Sequence, residues 1–315
     1  MKIVFLDSAT IGSDISLQPL AELGDFVSYT NTKNEDIISR LADADVAVVN
    51  KIIITKEIID ACTKLKLICV AATGINNIDF EYARAKNIEV KNAVNYSTNS
   101  VVQVTFGILL EIINKTSAHN NFVKSGKYSE GEIFTCLEFP FSEIAGKRYG
   151  IIGMGNIGKK VAQIAQAFGA EVCYYSTSGK NNSITEYEQL TLDELLSTCD
   201  IISIHAPLNA HTNNLIGKKE LKLMKPTAIL INMGRGGIVN ETDLANALDN
   251  NTIAHAGSDV FTKEPIDKNH PFLTMKNQNR LILSPHIAWT SIEARKCLIG
   301  KVAENIKESF NKNKM

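Results

Sequence analysis

The sequence predicts an α/β protein made of two doubly wound parallel sheets. Three observations carry that prediction. Short continuous apolar runs alternate with amphipathic segments, the mark of strands buried on both faces and separated by covering helices. The alternation occurs as two successive series, so two sheets are expected. At 315 residues the chain exceeds the roughly 250–300 residues at which single cores tend to divide.

In the first series Lys2–Leu6, Val46–Val49, Leu67–Ala71 and Ile88–Val90 read as strands, and Glu35–Ala42 and Thr55–Thr63 as amphipathic helices between them. After Asn99 a long helical stretch leads on. The second series then runs Gly150–Ile152, Glu171–Tyr175, Ile201–His205, Ala228–Asn232, Ile253–Asp259 and Leu281–Ser284. A last helix is predicted over Ser291 to Phe310, and periodicity does not say which sheet it covers. The polar Asn311–Lys314 tail reads as a fraying end.

The second series opens on the most specific segment of the chain. A short apolar run ending at Ile152 feeds Gly153, Met154, Gly155, Asn156, Ile157 and Gly158, and a helical stripe of Val161, Ile164, Ala165 and Phe168 follows. Glycine-rich turns are common, but a strand before and an amphipathic helix after make this one a dinucleotide-binding loop. Gly153 permits the tight turn, Gly155 lets a pyrophosphate approach the backbone, and Gly158 lets the helix pack on the strand. The helix N-terminus offers unpaired N–H groups and the positive end of its dipole to the phosphates. The nucleotide domain therefore occupies the middle of the chain.

Composition narrows the remaining classes. The chain is 44% hydrophobic and 21% charged with a net charge of -1, an ordinary globular balance with no basic excess for nucleic acid or an anionic membrane. The stretch Val101 to Ile113 contains Gln103, Thr105 and Glu111 and is shorter than the ~20 residues of a membrane-spanning helix. Asp7 interrupts any apolar core of a leader, so a cytoplasmic protein is expected. The six cysteines form no Cys-x-x-Cys pair, and Cys69 and Cys173 lie within apolar runs, so buried thiols are expected and no metal site.

Three polar segments follow predicted strands, where open parallel sheets bind ligands. Arg235 is flanked by Gly234, Gly236 and Gly237, and its planar fork can grip a carboxylate with two hydrogen bonds, although a surface arginine in a turn reads the same way. Asp259 and Glu264 sit in the second segment, and alone they read as loop-solvating charges. The third segment is Ser284, Pro285 and His286, leading to Trp289. His205 also ends a strand, before Ala206 and Pro207, and the residues alone do not choose between the two histidines. His119, His211, His255 and His270 have weaker contexts.

Taken together, these segments resemble the D-isomer-specific 2-hydroxyacid dehydrogenases over nearly the whole chain. The resemblance rests on the run Ala71 to Asp79, the run Tyr96 to Gln103, the glycine loop, His205 to Pro207, Asn232 to Gly236, Asp259 to Pro265 and Pro285-His286. Within that family, the segment from Asp7, Asn50-Lys51, Ala72 to Gly74, Gln103 and His286 to Trp289 look most like the glycerate dehydrogenase (hydroxypyruvate reductase) branch.

The resemblance implies a Rossmann nucleotide domain, residues 99–287, inserted in a flavodoxin-like substrate domain, residues 1–98 and 288–315, with a cleft that closes during hydride transfer. It implies Arg235, Glu264 and His286 as the catalytic trio. Cofactor contacts would come from the glycine loop with Asn156 and Ile157, from Ser176 and Thr177, from Ala206 and Pro207, and from Met233 and Gly234. Arg235, Asp259 and His286 would complete that set, Asp259 beside the nicotinamide carboxamide. Substrate would meet Thr73, Gly74, Ile75 and Arg235, with Lys51 and Trp289 as further contacts. Lys51 reads equally as an exposed strand-end residue and Trp289 as core packing. The resemblance also implies a homodimer formed at the long helix after Asn99, with a small 2-keto acid as substrate: hydroxypyruvate first, then glyoxylate, pyruvate or 3-phosphohydroxypyruvate. A non-catalytic dinucleotide sensor, like the corepressors built on this fold, is the rival from another class.

One departure stands out. NAD enzymes of this fold usually carry Asp or Glu about 20 residues after the glycine loop, to bind the ribose 2′-hydroxyl. Here Ser176, Thr177, Ser178, Gly179 and Lys180 follow the strand. No carboxylate repels a 2′-phosphate, yet no arginine stands there to bind one. NAD(H) is favoured by family default, and NADP(H) is admitted by the local chemistry.

Overall fold

A computed structural model describes residues 1–179 and 186–311. Lys180 and the end of the polar tail lie outside the described residues. The chain divides into two compact units, one of residues 1–97 and 289–315, the other of residues 98–288.

The first unit holds five parallel strands: β1 (Lys2–Phe5), β2 (Asp25–Ser28), β3 (Val46–Val49), β4 (Leu67–Val70) and β5 (Glu89–Asn92), in the order β2-β1-β3-β4-β5. Apolar side chains alternate between two cores. Phe5, Val46, Val48, Leu67 and Cys69 enter one, while Val4, Ala47, Val49, Ile68 and Val70 enter the other. Both faces of the sheet are thus covered, which is why β3 and β4 are apolar at every position. The last helix, Ile292–Asn311, sends Leu298, Ile299, Val302 and Ile306 into the first of these cores, so it covers the first sheet. The strand β2 is not among the sequence-predicted runs. It is an edge strand with exposed Asp25 and Ser28, and it lacks the continuous apolar signature.

The second unit holds seven parallel strands: β6 (Arg148–Ile152), β7 (Glu171–Tyr175), β8 (Glu188–Gln189), β9 (Ile201–Ile204), β10 (Ile229–Asn232), β11 (His255–Ser258) and β12 (Leu281–Leu283). Their order is β12-β11-β10-β9-β6-β7-β8. The strand order reverses between β6 and β9, the topological switch point at which open α/β sheets bind nucleotides. Ile152, Ile202, Ile204 and Leu230 pack on one face, and Ile151, Ile201, Ile229 and Ile231 on the other. The long helical stretch after Asn99 is two helices, Thr98–Asn114 and Thr116–Lys124, broken at Lys115, whose backbone is left-handed at φ 50°. The fold class predicted from the pattern, two parallel-sheet α/β units, is the one observed.

The stripe after the glycine loop needs one correction. The helix is Asn156–Ala167, with Val161, Ala162 and Ala165 buried; Phe168 is its C-cap, 42% exposed, and stacks on Phe106 at 5.6 Å. Cys62, Cys69, Cys173 and Cys199 are buried thiols, whereas Cys136 is half-buried and Cys297 exposed, so burial applies to four of the six. Among the described residues no helix is long and apolar enough to cross a membrane, and no cluster of His, Cys, Asp and Glu could hold a metal ion.

Candidate active site

The three loop glycines have three separate physical reasons. Gly153 has φ 96°, and a Cβ there would lie 2.8 Å from the Ala206 backbone nitrogen, so both conformation and space exclude a side chain. Gly158 lies so close to the Gly153 carbonyl that a Cβ would overlap it. Gly155 differs: nothing lies within 4 Å of its missing Cβ. It caps the helix Asn156–Ala167 without a side-chain hydrogen bond, at a helix N-terminus whose dipole end suits an anion. An open cradle at a helix N-terminus fits the pyrophosphate of a dinucleotide.

The remaining cofactor candidates lie at the same, carboxyl, ends of the strands. Ser176 follows β7; its hydroxyl is buried and has no hydrogen-bond partner among the described residues. Thr177 lies in the turn that follows. Ala206 and Pro207 follow β9, and Met233 and Gly234 follow β10. A Cβ on Gly234 would come within 2.6 Å of the Ala206 carbonyl, so these two loops touch backbone to backbone.

Arg235 is presented by a loop that Asn232 pins from both sides. The Asn232 side chain accepts from Gly234 N–H at 3.1 Å and donates to the Arg235 carbonyl at 3.0 Å. Arg235 Nη1 donates to its neighbour's carbonyl, Gly234 O, at 2.8 Å. Asn232 is part of the motif in sequence, but no spacing rule reveals its double contact.

Glu264 and His286 meet directly: His286 Nδ1 lies 2.6 Å from Glu264 Oε2, with side chains 21% and 28% exposed. The other carboxylate oxygen, Oε1, accepts from Phe261 N–H at 2.9 Å, which fixes the side chain's direction. His286 holds a left-handed backbone at φ 55°, rare for a residue with a Cβ. The turn is held by Asp259, whose carboxylate accepts from Ser284 Oγ at 2.5 Å, Ile287 N–H at 2.9 Å and Ala288 N–H at 2.9 Å. Burial pushes the Asp259 carboxyl above the usual range, against the pull of these hydrogen bonds and of nearby His286. The sequence suggests a cofactor contact for Asp259; in the structure it is buried and bonded to the chain on both sides of His286.

The other histidine that ends a strand is a different object. Burial lowers the His205 pKa to about 3, and Nε2 lies 2.9 Å from Ser203 Oγ, with no carboxylate partner among the described residues. A ring that stays neutral cannot donate a proton as an imidazolium, so geometry separates two histidines that the residues alone leave equal.

In the first unit, the backbone N–H groups of Asn50, Lys51 and Ile52 all donate to the Asp7 carboxylate, at 2.8, 2.6 and 3.2 Å, which fixes the turn that carries Lys51. Thr73 commits its hydroxyl proton to the Ala93 carbonyl at 3.0 Å. Gly74 and Ile75 follow in the loop after β4. The Trp289 ring packs against the first unit's core and meets Tyr96 edge-on at 6.2 Å.

Comparison with known proteins gives the family. Residues 106–288 match the D-isomer specific 2-hydroxyacid dehydrogenase, NAD binding domain. The chain belongs to the D-isomer-specific 2-hydroxyacid dehydrogenase family. It is 37% identical to the hydroxypyruvate reductase of Blautia hydrogenotrophica, over 98% of this chain and 96% of that protein. It is 34% identical to the glycerate dehydrogenase of Methylorubrum extorquens, over 98% of this chain and 96% of that one. Among solved structures, an acyclic imino acid reductase in complex with NADPH and D-Arg is similar at a TM-score of 0.87 and 32% identity, covering 99% of this chain and 98% of that one.

Proposed function

We propose that the protein reduces hydroxypyruvate to D-glycerate, with His286 as proton donor, Glu264 as its orienting partner and Arg235 as the substrate-carboxylate clamp. The observation that carries this reading is the Glu264–His286 contact, set at the carboxyl edge of the same sheet as the glycine loop. The open cradle at Gly155 and the first turn of the helix after it suit the pyrophosphate, and the loops at Ser176, Ala206 and Met233 suit the rest of the dinucleotide. When bound, a nicotinamide supplies the hydride. The protein's own residues do the rest. His286 places a proton where the carbonyl oxygen gains charge, and imidazole chemistry suits proton transfer at neutral pH. The Glu264 carboxylate against Nδ1 fixes the direction of the ring. Arg235 holds the carboxylate in two parallel hydrogen bonds and so orients the carbonyl carbon. Lys51, Thr73, Gly74, Ile75 and Trp289 are proposed as substrate contacts from the first unit.

NAD(H) is the proposed cofactor, and NADP(H) is admitted because Ser176 carries no charge to repel a 2′-phosphate. A homodimer in the cytoplasm is part of the same reading. In support of the dimer, Ile133, Phe134, Leu137 and Phe141 are 60%, 90%, 77% and 66% exposed, a burden of large apolar side chains unusual for an isolated chain.

The test is NADH oxidation by purified protein on adding hydroxypyruvate, with NADPH, glyoxylate and pyruvate in parallel. Turnover that prefers hydroxypyruvate is expected. A second reading, reduction of the imine formed from a keto acid and an amine, draws on the likeness to the imino acid reductase. A rate that appears only when an amine accompanies the keto acid would select it. Cofactor binding without any turnover would select the sensor.

A further inference from the structure

His270, whose sequence context is weak, is half of a nearly buried hydrogen-bonded pair that no catalytic role absorbs. Its Nε2 lies 3.0 Å from Glu241 Oε2, with side chains 9% and 14% exposed. Phe272 N–H donates to His270 Nδ1 at 3.2 Å. A nitrogen that accepts carries no hydrogen, so the neutral ring holds its proton on Nε2 and donates it to Glu241. The second Glu241 oxygen, Oε1, accepts from Thr262 N–H at 2.7 Å.

These bonds converge on the turn that carries Glu264. Thr262 lies two residues before Glu264, and Phe261 N–H binds Glu264 Oε1. The Phe261 ring meets the His270 ring edge-on at 5.9 Å. Gly236, beside Arg235, lies so close to the Phe261 carbonyl that a Cβ there would overlap it. Glu241 itself opens the helix Glu241–Asp249, which follows directly from the Arg235 loop. One carboxylate, oriented by one imidazole, therefore ties the Glu264 turn to the element that carries Arg235.

We propose that Glu241 and His270 are positioning residues that hold the Phe261–Glu264 turn, and through it set the contact between Glu264 and His286. The inference rests on the reading of His286 as proton donor. A loosened turn lets Glu264 withdraw from the ring. The ring of His286 then loses the partner that fixes its direction.

The experiment uses full-length protein carrying E241Q, H270Q or H270N, with H286Q as the reference. An amide has one acceptor oxygen, so E241Q cannot serve both Thr262 and His270. Glutamine at position 270 reaches where Nε2 lies and keeps donation to Glu241. Asparagine mimics Nδ1, keeps the cap on Phe272 and loses Glu241. Kinetics of hydroxypyruvate reduction are measured across the neutral range, with NADH binding by fluorescence as the control for folding.

E241Q and H270N are expected to lower kcat on the order of 10-fold with KM little changed. H270Q should stay within about threefold of the parent in kcat. The reverse order, H270N normal and H270Q impaired, would show that His270 only caps a short helix and would overturn the proposal. So would parental kcat in E241Q, which also decides the matter if H270N fails to bind NADH. Unchanged turnover in H286Q would instead sink the proton-donor reading, a separate outcome.

Discussion

Asp259 holds the chain on both sides of His286. Its carboxylate takes the hydroxyl of Ser284 and the N–H groups of Ile287 and Ala288, while His286 between them sits at φ 55°. A left-handed backbone at a non-glycine residue costs on the order of 1–3 kcal/mol and persists only where its surroundings over-determine it. Three hydrogen bonds to one buried carboxylate supply that over-determination, and they aim the ring at Glu264.

Replacing this carboxylate with an amide leaves one oxygen and sets an NH2 group against a backbone N–H. D259N should therefore lose about 1–3 kcal/mol of stability in chemical denaturation. It should also lose kcat by up to about 100-fold through misplacement of His286, with a smaller change in KM. Wild-type kcat in a destabilised D259N would separate the turn from catalysis and contradict the relationship drawn here.

Arg235 is expected to act through its planar fork as well as its charge. R235K keeps the charge but loses the bidentate geometry, so it should raise KM for hydroxypyruvate and lower kcat together, by on the order of 10-fold each. Full activity in R235K would mean that a point charge is enough and that the carboxylate is held elsewhere.

Ser176 governs cofactor choice on this account. Introducing a carboxylate with S176D should penalise NADPH by several kcal/mol of like-charge repulsion and leave NADH nearly unaffected. The measurement is the ratio of kcat/KM for the two cofactors, and an unchanged ratio would remove Ser176 from the ribose site.

His205 makes stability depend on pH with a known sign. Burial depresses its folded pKa from 6.5 to about 3, so between those values the unfolded chain takes up a proton that the folded chain refuses. Stability therefore falls as pH falls through that window, by at most about 1.4 kcal/mol per pH unit. H205Q should flatten the change in stability between neutral and mildly acidic pH while leaving turnover near that of the parent. An identical pH dependence in both proteins would contradict the assignment, and a collapse in turnover would reopen the choice between the two histidines.

Much of this architecture is legible in the residues because burial leaves a simple trace. The strands β3 and β4 are apolar at every position since both faces of their sheet are covered, and two of the loop glycines, Gly153 and Gly158, answer separate steric demands. What stays hidden is hidden for physical reasons. Edge strands such as β2, and the two-residue β8, keep polar exposed positions and carry no apolar run. Phe168 fits the helical period yet falls at the cap, where the helix has ended. His205 and His286 both follow strands. Only burial of one, and a carboxylate reached across 22 positions by the other, tells them apart. Asp259 and Glu241 serve partners more than 20 residues away, contacts that spacing along a chain does not encode.

The central claim is that His286 transfers the proton in a keto-acid reduction, and the most direct measurement compares hydroxypyruvate reduction by the parent and H286Q at saturating NADH. The account predicts active parent enzyme and a loss of about 100-fold to 10,000-fold in kcat for H286Q, with NADH binding retained. Equal rates in the two proteins would contradict it.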